Sequence, residues 1–255
     1  MKALIIAAGY ATRLYPLTQD TPKALLLIAG KPMLNYIVKK IEELKDIEEI
    51  VVVTNDKFYP QFLEWSKSVK SAKRIRVMND NTKSNEERLG AIGDIHYFIS
   101  QDKFKGDLLV IGGDNLFDFN LNEMADLFKK KRKSIIALYD MQKKEAVAKR
   151  FGVVLIDKDF KIVDFEEKPA EPKSTLIATL CYMFSNDDIE ELEKCISQNK
   201  KPDNAGDFIK YISSRKDVYG INYKGIWFDI GSFEQYEQAD KLYADKRWIR
   251  KLKSY

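Results

Sequence analysis

The sequence predicts an α/β fold with a mostly parallel central sheet flanked by helices, and a smaller subdomain of mixed strands in its second half. Three observations lead there. Short apolar runs rich in β-branched residues alternate with amphipathic stretches, the signature of βαβ units. That rhythm changes near Lys149 to strand-like pieces without long helices between them. No internal repeat, low-complexity segment or Gly/Ser linker separates the halves, so 255 residues with 45% hydrophobic content read as one domain, with a seam between about 1–149 and about 150–245.

The elements follow in order. Ala3–Ala8 is an uninterrupted apolar run stopped by Gly9, as expected of a buried strand. Met33–Leu44 reads as a helix, Glu49–Thr54 as a strand, Tyr59–Lys67 as a helix and Arg74–Met78 as a strand. Glu86–Ile99 reads as a helix, Asp107–Ile111 as a strand, Leu121–Lys130 as a helix and Ser134–Tyr139 as a strand. Beyond the seam, Gly152–Ile156, Ile162–Glu166 and Leu176–Phe184 read as strands, with a further short strand at Val218–Ile221. Helical spacing returns at Asp187–Cys195, Gly206–Ser213 and Glu234–Ala244.

Composition narrows the function classes. The 43 basic residues against 39 acidic ones leave a net charge of only +4, which argues against a dedicated nucleic-acid binder. Cys181 and Cys195 lack CxxC spacing and the chain has one histidine, so a zinc site is not expected, and the cysteines read as free thiols of a reducing cytoplasm. No apolar stretch approaches the roughly 20 residues that span a bilayer, so no membrane role is expected. His96 lies among Ile92, Ile95 and Phe98 as a packing residue, and the tail Lys246–Lys253, which interleaves Trp248, Ile249 and Leu252, reads as a terminal helix docked on the chain's own surface.

Chemistry concentrates in three places. The turn leaving the first strand, Ala7-Ala8-Gly9-Tyr10-Ala11-Thr12-Arg13-Leu14, is followed by Pro22-Lys23. Small residues there let backbone N–H groups approach phosphate oxygens, with Arg13 and Lys23 as neutralising cations, although an ordinary βα turn would look similar. Asp114 follows the strand Leu108–Ile111 through two glycines, which puts its carboxylate at the carboxyl end of a central strand, where open α/β sheets bind ligands. Asp229 sits in the apolar bracket Trp227-Phe228-Asp229-Ile230-Gly231; taken alone, each aspartate could as well cap a turn or helix. Glu166-Glu167-Lys168-Pro169 closes the strand at Ile162–Phe165 and by itself could be a solvated charged turn.

Taken together, Ala7-Ala8-Gly9-x-Ala11-Thr12-Arg13-Leu14-x-Pro16-x-Thr18, Pro22-Lys23, Gly113-Asp114-Asn115, Phe151-Gly152-Val153-Val154, Phe165-Glu166-Glu167-Lys168-Pro169 and Trp227-Phe228-Asp229-Ile230-Gly231 resemble, in order, the motifs of the sugar-phosphate nucleotidyltransferase family. The resemblance runs from Met1 to about Ala239, with the thymidylyltransferase branch nearest. It implies a Rossmann-like sheet and a Mg²⁺-dependent reaction in which a nucleoside triphosphate and a sugar 1-phosphate give a nucleoside diphosphate sugar and pyrophosphate, with a homo-oligomer left open. It assigns nucleotide binding to Ala8, Gly9, Tyr10, Ala11, Thr12, Arg13 and Lys23, with Arg13 and Lys23 catalytic, and the metal to Asp114 and Asp229. It assigns the sugar phosphate to Gly152, Glu167 and Lys168, the lysine meeting the phosphate and the carboxylate the hydroxyls. Asn79 and Asn85 are candidate amide readers of the base.

Two positions depart from the family pattern. Ala11 stands where a second glycine is usual in the nucleotide loop, and Leu180 stands where thymidylyltransferases place a sugar-facing glycine, so a leucine would fill part of the sugar pocket. The alternatives are a cytidylyltransferase acting on a non-sugar phosphate such as phosphocholine, which would share the Arg13–Lys23 signature but generally lacks the Gly152 and Glu167-Lys168-Pro169 pairing, and a catalytically silent regulatory homologue.

Overall fold

The computed structural model describes residues 1–198 and 204–245; the basic tail lies outside the described residues. The chain opens with β1 (Lys2–Ile6), a small hairpin of β2 (Leu27–Ile28) and β3 (Lys31–Pro32), α1 (Met33–Glu42), β4 (Glu49–Thr54), α2 (Tyr59–Ser68) and β5 (Arg74–Asn79). It continues through α3 (Gly90–Asp102), β6 (Leu108–Gly112), β7 (Asn115–Phe117), α4 (Leu121–Lys131), β8 (Ile135–Asp140) and a single turn, α5 (Lys144–Val147). The second half comprises β9 (Gly152–Ile156), β10 (Ile162–Glu167), β11 (Leu176–Phe184), α6 (Asn186–Ile189) and α7 (Leu192–Gln198). It ends with α8 (Ala205–Ser213), β12 (Tyr219–Tyr223), β13 (Trp227–Asp229) and α9 (Phe233–Ala244).

Nine strands form one sheet in the order β10-β9-β11-β6-β1-β4-β5, with β8 paired to β11 and β12 to β8. The stretch β6-β1-β4-β5 is parallel, while β11 runs antiparallel to β6. The mixed strands of the second half therefore extend the same sheet. Strand periodicity explains its two covered faces. Ala3 and Ile5 of β1 and Ile50 and Val52 of β4 pack with Ile37, Phe62 and Phe128 from α1, α2 and α4. Leu4, Val51 and Val53 point the other way, onto Ile95 of α3 and Phe208 of α8.

Most predicted elements recur within a residue or two. The helix expected at Glu86–Ile99 starts instead at Gly90, whose φ of +75° is incompatible with a helix running through it. The helix expected at Asp187–Cys195 breaks into α6 and α7, and the strand expected at Val218–Ile221 is shifted to Tyr219–Tyr223. Strands β7 and β13, three residues each, have too few residues for a period of two to be visible in sequence.

Candidate functional site

The site is built at the carboxyl end of β1 and β6, neighbours in the middle of the sheet. After β1 the chain is pinned by Ala7 N–H to the Val53 carbonyl (2.9 Å) and by the Asn55 amide to the Ala8 carbonyl (2.9 Å). It then passes Gly9 and turns at Ala11, whose φ of +49° lies in the left-handed region. That conformation explains why glycine is the usual residue there and what Ala11 costs, about 1–2 kcal/mol of local strain. The Thr18 hydroxyl and the Leu14 N–H both donate to the Ala11 carbonyl, which holds the turn closed.

β6 delivers Asp114 next to this turn. Gly113 donates its N–H to the Ile6 carbonyl at 2.8 Å, and a Cβ on Gly113 would lie 2.9 Å from that same oxygen, so no larger residue allows so close an approach. Asp229 arrives from the far end of the sequence through the two-stranded ribbon β7–β13, in which Asp229 pairs with Asn115. Ile230 N–H donates to the Asp114 carbonyl at 3.1 Å, and the Trp227 indole N–H donates to Asn115 Oδ1 at 2.6 Å.

The carboxyl groups of Asp114 and Asp229 lie close enough to interact, so that the charge of one disfavours the charge of the other. Burial, reinforced by the neighbouring Asp114 charge, pushes the Asp229 carboxyl up to about 7. Burial also acts to raise Asp114, but the Lys23 ammonium, 2.6 Å from its Oδ2, overrides this and holds it below the ordinary carboxylate range. Arg13 faces the same pair, its Nη2 3.6 Å from where a Cβ on Gly231 would stand. Two neighbouring carboxyl groups that border a cavity are a suitable seat for a hard divalent cation, whose charge would relieve their mutual repulsion. Among the described residues no third His, Cys, Asp or Glu joins them to make a larger cluster. Such an ion would draw its remaining ligands from water and phosphate, as Mg²⁺ does.

Two cavities meet at Asp114. A cleft of about 500 Å³ is lined by Ala8–Arg13, Lys23, Asn85 and Asp114, with Arg88 and Ala91 on its wall. A chamber of about 190 Å³ is lined by Asp114, Asp229, Gly152, Glu167, Lys168 and Trp227. Asp114, Ala91, Leu180 and Asn204 line both. In the chamber, Glu167 lies over the backbone of Gly152 and Gly206, where an added Cβ would stand 3.1 and 2.2 Å from its Oε2. Lys168, itself at φ +46°, lies 3.4 Å from Glu167 Oε1 and donates to Asn204 Oδ1 at 2.8 Å.

Leu180 occupies a bulge in β11, where the pairing with β8 skips between Ala178 and Tyr182. Its φ is +55°, and its Cδ2 would lie 2.8 Å from a Cβ on Gly112. The leucine thus stands in a glycine-favouring conformation and forms part of the partition between cleft and chamber.

Asn79 is not brought to the cleft wall. Its amide N–H donates to Asp56 Oδ1 and its Oδ1 accepts from Asn81 N–H, so the side chain is consumed in the turn that ends β5. Asn204, Gly206, Arg88 and Ala91 were not singled out from the sequence. Gly206 carried one signal, a glycine at the start of a predicted helix, and the other three carried none.

A family model described as nucleotidyl transferase matches residues 2–246. The chain is 31% identical over 247 residues to the bifunctional protein GlmU of Methanocaldococcus jannaschii, covering 96% of this chain and 55% of that protein. It is 30% identical over 233 residues to a bifunctional sugar-1-phosphate nucleotidylyltransferase/acetyltransferase of Sulfurisphaera tokodaii, covering 91% and 52% respectively. The chain thus spans about half the length of these relatives. Among solved structures, UDP-glucose pyrophosphorylase complexed with UDP-glucose aligns with a TM-score of 0.81 at 25% identity, over 96% of this chain and 99% of that one.

Proposed function

The chain belongs to the nucleotidyl transferase family, and from that premise we propose that it condenses a nucleoside triphosphate with a sugar 1-phosphate, releasing pyrophosphate and a nucleoside diphosphate sugar. The observation that carries this reading is the meeting of two cavities at Asp114, beside which Asp229 lines the smaller one. The larger is walled by a backbone turn and cations suited to a triphosphate, the smaller by a carboxylate and a lysine suited to a sugar and its phosphate.

The reaction needs a new bond between a sugar-phosphate oxygen and the α-phosphorus, and rupture of the bond from that phosphorus to the pyrophosphate oxygen. The nucleophile is already an anion, so no side chain has to accept a proton. Catalysis is then positioning plus charge stabilisation. Arg13 stabilises the leaving pyrophosphate and Lys23 the α-phosphate, which requires the Lys23 ammonium to share itself between Asp114 and the nucleotide. Lys168 holds the sugar phosphate, while Glu167 and the Gly152 backbone orient the ring. A Mg²⁺ held by Asp114 and Asp229 would supply further positive charge to the phosphate oxygens.

Pyrophosphate release measured across a panel of nucleoside triphosphates and sugar 1-phosphates, with and without Mg²⁺, tests the proposal. Turnover with at least one pair, dependent on the divalent ion, is expected. No release from any pair, or release unaffected by chelation, would overturn it.

A further inference from the structure

Asn204 is the N-cap residue of α8, and asparagine is among the best residues for that position because its side-chain oxygen can accept from the first exposed N–H groups of the helix. Here the side chain makes no capping bond. Its Oδ1 instead accepts from the Lys168 ammonium at 2.8 Å, and the residue lines both the nucleotide cleft and the sugar chamber.

Lys168 needs such a partner. Its backbone is anchored by its N–H donating to the Phe151 carbonyl at 3.1 Å, but the side chain is 47% exposed and lysine carries high rotamer entropy. Its other close polar neighbour is Glu167, at 3.4 Å. A carboxylate in place of Asn204 would hold the ammonium more strongly, but it would cancel the charge that a phosphate has to meet and would itself repel that phosphate. A neutral amide oxygen fixes the ammonium and leaves its charge available.

We propose that Asn204 is a positioning residue for the sugar-phosphate side of the reaction, placing Lys168 through an uncharged acceptor where two substrates meet. This inference rests on the reading of the chamber as the sugar 1-phosphate site. It predicts that the charge at position 204, more than the shape, governs affinity for the second substrate.

Asn204→Asp separates this role from capping, because aspartate and asparagine cap helices equally well and have the same shape. Using the full chain and the substrate pair selected by the panel above, KM for each substrate, kcat and Tm would be measured for the wild type, Asn204→Asp, Asn204→Ala and Lys168→Ala. The expected result is a KM for the sugar 1-phosphate raised tenfold or more in Asn204→Asp, approaching that of Lys168→Ala, with Tm unchanged. Asn204→Ala should raise it only a few-fold, because the lysine keeps its charge and loses only its tether. Asn204→Asp with wild-type KM, or no worse than Asn204→Ala, overturns the positioning role while leaving the assigned activity standing. If the wild-type chain turns over no pair, the reading of the chamber fails and this inference fails with it.

Discussion

Leu180→Gly tests the partition between cleft and chamber. At φ +55° a residue bearing a Cβ is strained by about 1–2 kcal/mol, which glycine removes. Against this, the half-buried leucine contributes about half of the 1.5–3 kcal/mol of a fully buried one. Glycine adds a further unfolded-state entropy penalty of roughly 0.5–1 kcal/mol. The three nearly cancel, so Tm should move by no more than a few degrees in a chain of this size. Leu180→Ala lacks the strain relief and keeps the loss of packing, so alanine should be the less stable of the two, the reverse of the order found at ordinary backbone positions. Meanwhile the wall between the cavities loses a branched side chain. Pocket changes of a few methylenes alter discrimination by about 1–3 kcal/mol, so kcat/KM for glucose 1-phosphate should rise roughly tenfold or more relative to the preferred sugar 1-phosphate. Pyrophosphate release with the two sugars, and thermal melts of both variants, measure these quantities. An unchanged specificity ratio together with a loss of stability typical of core truncation, about 2–5 kcal/mol, would refute the partition role.

Three further outcomes are expected. Asp114→Asn and Asp229→Asn should each lower kcat by orders of magnitude while leaving the far-UV circular dichroism spectrum unchanged, since each removes a charged donor from a solvent-reachable pair; a wild-type rate at saturating Mg²⁺ would clear that residue of the metal role. Gly206→Ala should raise KM for the sugar 1-phosphate selectively, because its Cβ would stand 2.2 Å from Glu167 Oε2 and 2.7 Å from Phe165 Cζ, and steady-state kinetics with each substrate varied in turn would detect an effect on the triphosphate instead. At the foot of the sheet, burial acts to raise Glu49 and Asp102, but hydrogen bonds from Lys2 and Arg76 prevail and hold both below their ordinary values of 4.5 and 3.8. Carboxyls depressed in the folded state stabilise it above their unfolded values and lose that contribution as pH falls through the folded ones. Arg76→Ala should therefore move the acid-unfolding midpoint to higher pH, and an unmoved midpoint in a fluorescence titration would contradict this.

Much of the framework was legible because it follows from periodicity. The buried run ending at Gly9 and the apolar strand before Gly113 locate the turn after β1 and Asp114 from local sequence alone. The partnership of Asp114 with Asp229 was legible only by family resemblance, since the ribbon that joins them has three-residue strands and depends on a contact between distant parts of the chain. Asn204 and Gly206 approach Lys168 and Glu167 only through the fold, and apart from the glycine that opens a predicted helix the sequence holds no signal of it. At Asn79 the amide hydrogen-bonds within its own turn, an engagement that sequence position alone does not reveal. At Ala11 and Leu180 the departures from glycine were visible, while their meaning, a positive φ retained under a side chain, needed the backbone.

The β7–β13 ribbon also sets the order in which competence can arise during folding. A chain that has assembled β1, β4, β5 and β6 already possesses the turn after β1 and the first aspartate, drawn from its first 114 residues. The second aspartate reaches its place only when a loop spanning β8 to β12 has closed, a contact of high sequence separation and correspondingly large entropic cost. Completion of the acidic pair on refolding should therefore lag the formation of the first-half sheet.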